Sequence, residues 1–223
     1  MNVLVVAPHP DDESIGCGGA VITHADDGDS VTAVFMTSGD KGLTEQLRRD
    51  APLTREAEAA AAASILGIGR LEFLRQPDWR LCEHVDAAVS GLTQILADTA
   101  AEIVYVPHPA DAHPDHRAAA VVTRRAIAVC ERPPRVRAYE VWTPLPRYDV
   151  CIDVGPVLDR KLAAIRCHLS QRENRDFARA ARSLSEYRAA LDGRYAHAEV
   201  FATLETDASW WAPADVRGWA PPE

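Results

Sequence analysis

Short apolar runs rich in β-branched residues alternate with helical stretches over the first 130 residues of the chain. Uninterrupted runs of this kind are typical of strands that are buried on both faces of a sheet. The predicted strands are Val3–Ala7, Val31–Thr37, Leu71–Leu74 and Glu102–Pro107. Helices are predicted at about 14–27, 54–67, 85–97 and 115–130. This alternation indicates an α/β fold with a Rossmann-like, mostly parallel sheet and helices on both faces.

The alternation of predicted strands and helices is less regular after Arg132-Pro133-Pro134. Strands are predicted at Val136–Trp142 and Val150–Val154, and helices at Val157–Leu169 and Leu184–Leu191. No internal repeat and no low-complexity linker divides the 223 residues. We therefore expect a single domain over residues 1–223, with an α/β core and a C-terminal extension.

Charge and composition exclude several classes of partner. The chain has 24 Lys and Arg against 33 Asp and Glu, which gives a net charge of −9 and disfavours binding to nucleic acid. The start of the sequence lacks the basic segment of a signal peptide, and no apolar run is long enough to predict a membrane span. The five cysteines include no CxxC pair, as expected for reduced thiols in a cytoplasmic protein.

Two groups of histidines and carboxylates directly follow predicted strands. PHPDDE (Pro8–Glu13) follows the first strand, and PHPADAHPDH (Pro107–His116) follows the fourth. Because ligands of open α/β sheets bind beyond the carboxyl ends of the strands, both groups are placed where a ligand would bind. Either string alone also suits a solvated turn at a helix N-terminus. Their joint occurrence at strand ends favours a metal site.

A catalytic zinc site takes three His or carboxylate ligands and keeps a fourth position for water. His9, Asp12 and His116 could supply such a set. Two His and one carboxylate also suit Fe²⁺, so the sequence leaves the metal open between Zn²⁺ and Fe²⁺.

Dinucleotide binding is an alternative for the glycines after the first strand. Gly16, Gly18 and Gly19 partly match GxGxxG, but Val21 occupies the third glycine position. The carboxylates of residues 11–13 would also repel a pyrophosphate. We reject this alternative and expect the glycines to let the first helix approach the sheet closely.

These motifs resemble those of the PIG-L/LmbE family of zinc-dependent de-N-acetylases, which act on N-acetylglucosamine-type sugars. PHPDDE at 8–13 corresponds to the AHPDDE motif of the family, and HPDH at 113–116 corresponds to its second motif. Weaker matches extend the resemblance over residues 2–201: TSGDKG at 37–42, Arg55 with Glu58, Asp78, Lys161 with HLSQ at 168–171, and Tyr195–Phe201. The resemblance implies a hydrolase that removes acetyl from a small amino-sugar substrate.

The resemblance also implies roles for individual residues. His9, Asp12 and His116 would bind the zinc ion. Asp11 would be the general base, and His113, oriented by Asp115, would stabilise the oxyanion or protonate the leaving amine. These roles match what amide hydrolysis requires, namely an activated water, a site for the developing negative charge and a proton for the amine.

Arg55, Asp78 and Asp111 are the predicted substrate contacts, because Arg donors and carboxylate acceptors suit sugar hydroxyls. Two alternatives stay open at this point. Arg55 could be a helix-surface residue paired with Glu58, and Asp78 could belong to a solvated turn.

Two other functions also remain open, a related amidase that cleaves a non-acetyl amide and a catalytically silent sugar-binding domain. Retention of both Asp11 and His113 favours an enzyme, since a binding domain needs neither. The segment Ser209–Glu223 holds three of the five Trp residues. We expect it to pack either on the domain or on a neighbouring subunit. Packing on a neighbouring subunit would make the protein a homo-oligomer.

Overall fold

The computed structural model describes residues 1–43, 48–171 and 175–205. The predicted packing of Ser209–Glu223 therefore lies outside the described residues. The strands are β1 Asn2–Ala7, β2 Ser30–Thr37, β3 Arg70–Gln76, β4 Ile103–Pro107, β5 Arg135–Tyr139, β6 Val150–Asp153 and β7 Ala198–Leu204. The α-helices in the described ranges are α1 Asp12–Asp26, α2 Ala51–Leu66, α3 Val85–Thr99, α4 Pro114–Ile127, α5 Leu158–Arg166 and α6 Phe177–Asp192.

The described strands form one sheet in the order β3-β2-β1-β4-β5-β7-β6. Strands β1 to β5 are parallel, whereas β7 runs antiparallel to both β5 and β6. In the central strand, Val5 pairs with Ala33 of β2 and Tyr105 of β4. The sheet confirms the predicted Rossmann-like, mostly parallel α/β fold. The strand order reverses between β1 and β4, and such a switch point is where this fold binds its ligands.

Helices cover the two faces of the sheet with separate apolar cores. Side chains of β1 alternate between them, so that Val3 and Val5 pack with α1 and α2, whereas Leu4 and Val6 pack with α3 and α4. Both layers consist mainly of Val, Leu, Ile and Ala, and most of these residues are fully buried. Both faces of the central strands are therefore covered by packed apolar side chains.

Helix α1 lies unusually close to the sheet and is kinked at Cys17, where φ is −139°. A Cβ atom at Gly16 would lie 2.2 Å from the ring of Tyr139, and one at Gly19 would lie 2.4 Å from Val154. These contacts confirm that Gly16 and Gly19 permit close approach, whereas a Cβ atom at Gly18 would face Lys161 and Leu66 of neighbouring helices. Glu199 of β7 accepts hydrogen bonds from backbone N–H groups that follow the kink.

The C-terminal part differs most from the sequence prediction. Helix α6 begins at Phe177 rather than 184, with Asp176 capping it by accepting a hydrogen bond from the backbone N–H of Arg179. Strand β7 was not predicted, and β5 ends at Tyr139 rather than Trp142. Among the described helices, none has both the length and the apolar character needed to cross a bilayer.

Candidate active site

A pocket of about 580 Å³ lies at the carboxyl ends of β1 and β4 and is called the strand-end pocket here. Six of the nine predicted site residues line it: His9, Asp11, Asp12, Arg55, Asp78 and His113. The other three, Asp111, Asp115 and His116, are at most 1% exposed and contact residues of the pocket wall. The two motifs are adjacent because β1 and β4 are neighbours in the sheet.

The three predicted metal ligands converge around one carboxylate oxygen. Oδ2 of Asp12 lies 3.1 Å from Nδ1 of His9 and 3.2 Å from Nε2 of His116. Both ring nitrogens of His116 are buried without a hydrogen bond. A buried imidazole without hydrogen bonds, next to a carboxylate and a second imidazole, fits the donor set of a divalent cation.

The remaining nitrogen of each predicted histidine ligand faces a second carboxylate. Nε2 of His9 lies 3.0 Å from Oδ1 of Asp78, and Nδ1 of His116 lies 3.4 Å from Oδ1 of Asp111. Metal-ligating histidines usually contact a carboxylate or carbonyl in this way, which fixes the ring and its tautomer. Asp78 and Asp111, predicted as sugar contacts, are thus placed to position the ligands.

Among the described residues, two groups of three have all their candidate ligand atoms within 4.8 Å of one another, namely His9–His113–His116 and His9–Asp78–Asp115. The predicted set shares His9 and His116 with the first group, and Oδ2 of its Asp12 also accepts the backbone N–H of His9 at 2.9 Å. Nδ1 of His113 already accepts the backbone N–H of Asp115, and the Asp115 carboxylate accepts two backbone N–H groups. Because His113 also offers a candidate ligand nitrogen, the choice of His9, Asp12 and His116 as ligands remains a prediction.

The pKa shifts follow from these contacts. Burial opposes protonation of His116, but Asp12 and Asp111 outweigh it and raise its pKa to about 9. Burial likewise opposes protonation of His9, whose pKa is nevertheless raised by Asp78 and the other nearby carboxylates. For Asp12, burial is outweighed by His116 and His9, which lower its pKa. The carboxylates therefore favour positive charge on the His9 and His116 rings.

Asp11 has a different environment from the adjacent Asp12. Its φ of 130° is unusual for a residue with a side chain, and its backbone N–H donates to Glu13 Oε2 at 3.0 Å. The carboxylate lines the strand-end pocket, with Oδ2 at 3.1 Å from a guanidinium nitrogen of Arg55. Burial raises the pKa of Asp11 to about 6, although Arg55 acts in the opposite direction.

Arg55 is not the surface residue that one alternative proposed. It is 2% exposed and donates hydrogen bonds to the carbonyls of Gly39 and Pro10 as well as to Asp11. Glu58 instead accepts hydrogen bonds from Ser170. Arg55 therefore joins three segments of the pocket wall. Its predicted contact with the sugar remains a prediction.

His113 lies at the N-terminus of α4 and is oriented by the backbone of Asp115 rather than by its carboxylate. The backbone N–H of Asp115 donates to Nδ1 of His113 at 3.2 Å. The Asp115 carboxylate accepts the N–H groups of Trp79 and Leu81 at 2.7 and 3.1 Å. Burial and the imidazoles of His9 and His116 lower the pKa of His113 to about 2. A neutral ring whose Nδ1 accepts must carry its proton on Nε2.

Sequence reasoning missed the aromatic walls of the pocket. The ring of Trp79 lies 4.5 Å from that of His113, and the ring of Trp142 lies 6.4 Å from it on centroid distances. Trp79 also has a positive φ of 65°. The only available signal for Trp79 was its position directly after Asp78. Nothing in the sequence around Trp142 indicated that it would reach the pocket.

The comparisons with known proteins agree with the motifs. A sequence model described as "PIG-L: GlcNAc-PI de-N-acetylase" matches residues 4–127. A probable N-acetyl-alpha-D-glucosaminyl L-malate deacetylase of Bacillus cereus is 31% identical over 185 residues, covering 77% of this chain and 84% of the relative. The N,N'-diacetylchitobiose deacetylase structure from Pyrococcus horikoshii matches with a TM-score of 0.81 at 25% identity, covering 92% of this chain and 84% of that one.

The relatives do not all share one reaction. A 4-oxalmesaconate hydratase of Pseudomonas putida is 29% identical over 191 residues, which is 76% of this chain and 74% of the relative. Membership is settled by the match to the family model, which spans more than half of the chain. The resemblance noted from the two motifs is thereby confirmed, and the chain belongs to the PIG-L family of de-N-acetylases.

Proposed function

We propose that this protein is a metal-dependent hydrolase that removes the N-acetyl group from an N-acetylglucosamine-type amino sugar. The observation that carries the proposal is the convergence of His9, Asp12 and His116 beside the pocket-lining carboxylate of Asp11. A general base next to a cation site is what hydrolysis of an unactivated amide requires. The assignment of residues 1–223 to one domain remains part of the proposal.

His9, Asp12 and His116 would hold the ion, which we take to be Zn²⁺, with Fe²⁺ as the alternative. The bound ion would supply Lewis acidity, polarising the amide carbonyl and lowering the pKa of water. The five cysteines of the chain are free thiols. Reduced thiols support the proposed cytoplasmic location.

The side chains of this protein would carry the proton transfers. Asp11 accepts the proton of the attacking water, and its pKa of about 6 suits a base that must also release that proton. The Nε2–H of a neutral His113 would donate a hydrogen bond to the developing oxyanion, and Asp11 would pass the proton taken from water to the leaving amine. Arg55 keeps Asp11 in place through their ion pair.

Three alternatives lead to different products. A related amidase would release an acid other than acetate, a silent sugar-binding domain would release none, and a hydratase, as in the Pseudomonas putida relative, would add water without releasing an acid. The retention of Asp11 beside Arg55 and of His113 favours an enzyme over a binding domain.

The test is acetate release by the metal-loaded protein from a panel of N-acetylglucosaminyl compounds. We expect stoichiometric acetate and free amine from at least one member, and a rate lower by about 10²–10⁴ from an Asp11→Asn variant at equal protein and metal concentration. A metal-loaded wild-type protein that binds these sugars without releasing acetate would favour the binding domain. Whether the protein forms a homo-oligomer is a separate proposal, which sedimentation of the full chain tests.

A further inference from the structure

A second cavity of about 440 Å³ adjoins the strand-end pocket and is called the side chamber here. The two cavities share a wall of five residues, Ile15, Val141, Trp142, Arg175 and Phe177. The rings of Trp142 and Phe177 meet edge to face with centroids 5.9 Å apart. The guanidinium of Arg175 lies 5.1 Å from the ring centroid of Trp142. The shared wall is therefore largely aromatic and aliphatic.

Four of the five charged residues that line the side chamber are paired with another charged side chain or with the backbone, whereas the fifth, Arg175, contacts the ring of Trp142. Glu199 accepts a hydrogen bond from Lys161 Nζ at 2.6 Å. Its two carboxylate oxygens also accept the backbone N–H groups of Gly19 and Ala20 at 2.7 and 2.8 Å. The pair is at most 5% exposed at its side chains, so it offers little hydrogen-bonding capacity to a ligand.

Three further polar residues of the wall, Glu140, Asp176 and Ser185, also have hydrogen-bond partners, whereas the exposed Arg175 can still donate at the shared wall. Glu140 pairs with Arg188 and accepts the backbone N–H of Leu145 at 2.5 Å. Ser185 donates its hydroxyl hydrogen to the carbonyl of Arg182 at 2.7 Å. A sugar ring placed in the side chamber would lose its hydrogen bonds to water and find few in return.

The apolar part of the wall is extensive. Besides the shared residues, Ala180, Leu184 and Val200 line the side chamber. A group bound there would gain mainly by removing apolar surface from water. The strand-end pocket, by contrast, presents the carboxylates, imidazoles and guanidinium that sugar hydroxyls and an amide can use.

We infer that the side chamber binds an apolar group carried by the substrate whose amide enters the strand-end pocket. This inference rests on the proposed function and narrows its substrate class to amino-sugar amides that carry an apolar group. That group is either the substituent at the anomeric position of an N-acetylated sugar, which keeps the proposed activity, or the acyl chain of the amide itself, which would replace the proposed activity by that of the related amidase. Both have the same chemistry, and the two arms of the experiment separate them.

The first measurement compares matched substrates with the metal-loaded wild-type protein. One arm compares the hexyl and methyl glycosides of N-acetylglucosamine, and the other compares the N-hexanoyl and N-acetyl forms of methyl glucosaminide. We expect kcat/KM to be at least about tenfold higher for the longer compound in one arm, since each buried methylene contributes about fourfold. If neither arm shows a higher kcat/KM for the longer compound, the inference is overturned.

The second measurement fills the side chamber by substitution. Ala180 is exposed on α6 and lines the side chamber, so Ala180→Trp adds bulk there without entering the core. We expect the ratio of kcat/KM for the preferred long compound to that for its short partner to fall to about one. Ala190→Trp on the same helix is the matched control, because Ala190 is exposed and does not line the chamber. An unchanged ratio in Ala180→Trp would contradict the inference.

A binding measurement separates failure of the inference from failure of the proposed function. If no compound is hydrolysed, the proposed function is wrong, and calorimetry with hexyl glucoside and methyl glucoside still tests the side chamber. We expect the wild-type protein to bind the hexyl compound at least about tenfold more tightly, and Ala180→Trp to lose that difference. Equal affinities for the two glucosides in the wild-type protein overturn the inference in that case.

Discussion

The strand-end pocket and the side chamber both bury charged side chains, but they differ in how those charges are paired. In the side chamber, Lys161 and Glu199 contact each other at 2.6 Å, and Glu199 accepts two backbone hydrogen bonds in addition. In the strand-end pocket, one oxygen of Asp12 faces two imidazoles, and the nitrogens of His116 form no hydrogen bond. Since buried polar groups are normally hydrogen-bonded, the nitrogens of His116 could accept a ligand, whereas the complete pairing of Lys161 and Glu199 suits a structural role.

The largest effect should come from removing a metal ligand. We expect His116→Ala, and independently Asp12→Ala, to lose bound metal and activity together, because each leaves two of the three protein ligands. The measurement is metal content by elemental analysis beside acetate release. His84→Ala, which alters a half-buried histidine far from the motifs in sequence, should keep its metal. One tightly bound metal per chain in His116→Ala would exclude that residue from the ligand set.

The next effect separates the adjacent carboxylates. Asp11 pairs with Arg55 and lines the pocket, whereas Asp12 contacts the two predicted histidine ligands. We expect Asp11→Asn to keep the metal and to lower kcat by about 10²–10⁴, the usual contribution of a positioned general base. Metal content and kcat are measured together with those of Asp12→Ala. Turnover of Asp11→Asn at the wild-type rate would show that another group accepts the proton.

A third substitution disrupts the complete pairing in the side chamber. We expect Lys161→Met to lower the free energy of unfolding by about 3–5 kcal/mol, because it leaves Glu199 charged and buried without its cation. Denaturant unfolding measures the loss, and metal content should remain that of the wild-type protein. The double variant with Glu199→Gln should recover part of the loss. A single variant as stable as the wild type would mean that water or another group already compensates Glu199.

The sequence predicted that the proposed ligands and base would lie together, because these residues are contiguous with the strands that place them. Once β1 and β4 are recognised, the chain positions His9, Asp11 and Asp12 at one strand end and His116 at the next. Glycine spacing likewise predicted the close approach of α1 to the sheet. These inferences needed only local sequence and the parallel order of the strands.

The roles of the supporting carboxylates could not be predicted in the same way. Asp115 accepts hydrogen bonds from the backbone at Trp79 and Leu81, and Arg55 reaches Asp11 from α2. Such contacts join segments that are distant in sequence. Every residue except proline has a backbone N–H group, so residue identity does not show which of these groups will donate to a carboxylate. Strand β7 was missed for a related reason: Glu199 within it is a poor strand former, and Lys161 of α5 pairs with it.

The smallest predicted effect concerns Asp111, which lies between the metal site and the structural pairs. Its Oδ1 accepts the backbone N–H of His113 at 2.9 Å and lies 3.4 Å from Nδ1 of His116. Its Oδ2 accepts the backbone N–H groups of Trp142 and Thr143 at 3.0 and 3.2 Å. Only a carboxylate can accept on both sides, so Asn at this position must turn an NH₂ group toward a donor.

We therefore expect Asp111→Asn to weaken metal affinity by about 10–100-fold, since the carboxylate behind a ligating histidine contributes that much. Competition with a chelator measures the affinity, and saturating metal should restore most of the acetate release. Asp86→Asn is the control, because the Asp86 side chain is 89% exposed and remote from the motifs in sequence. Wild-type affinity in Asp111→Asn would assign this carboxylate to holding the backbone of residues 142 and 143 alone. A loss of metal as complete as that in His116→Ala would instead place Asp111 among the ligands. Asp111 would then bind a ligand although both of its carboxylate oxygens already accept hydrogen bonds, so complete pairing would no longer identify a structural residue.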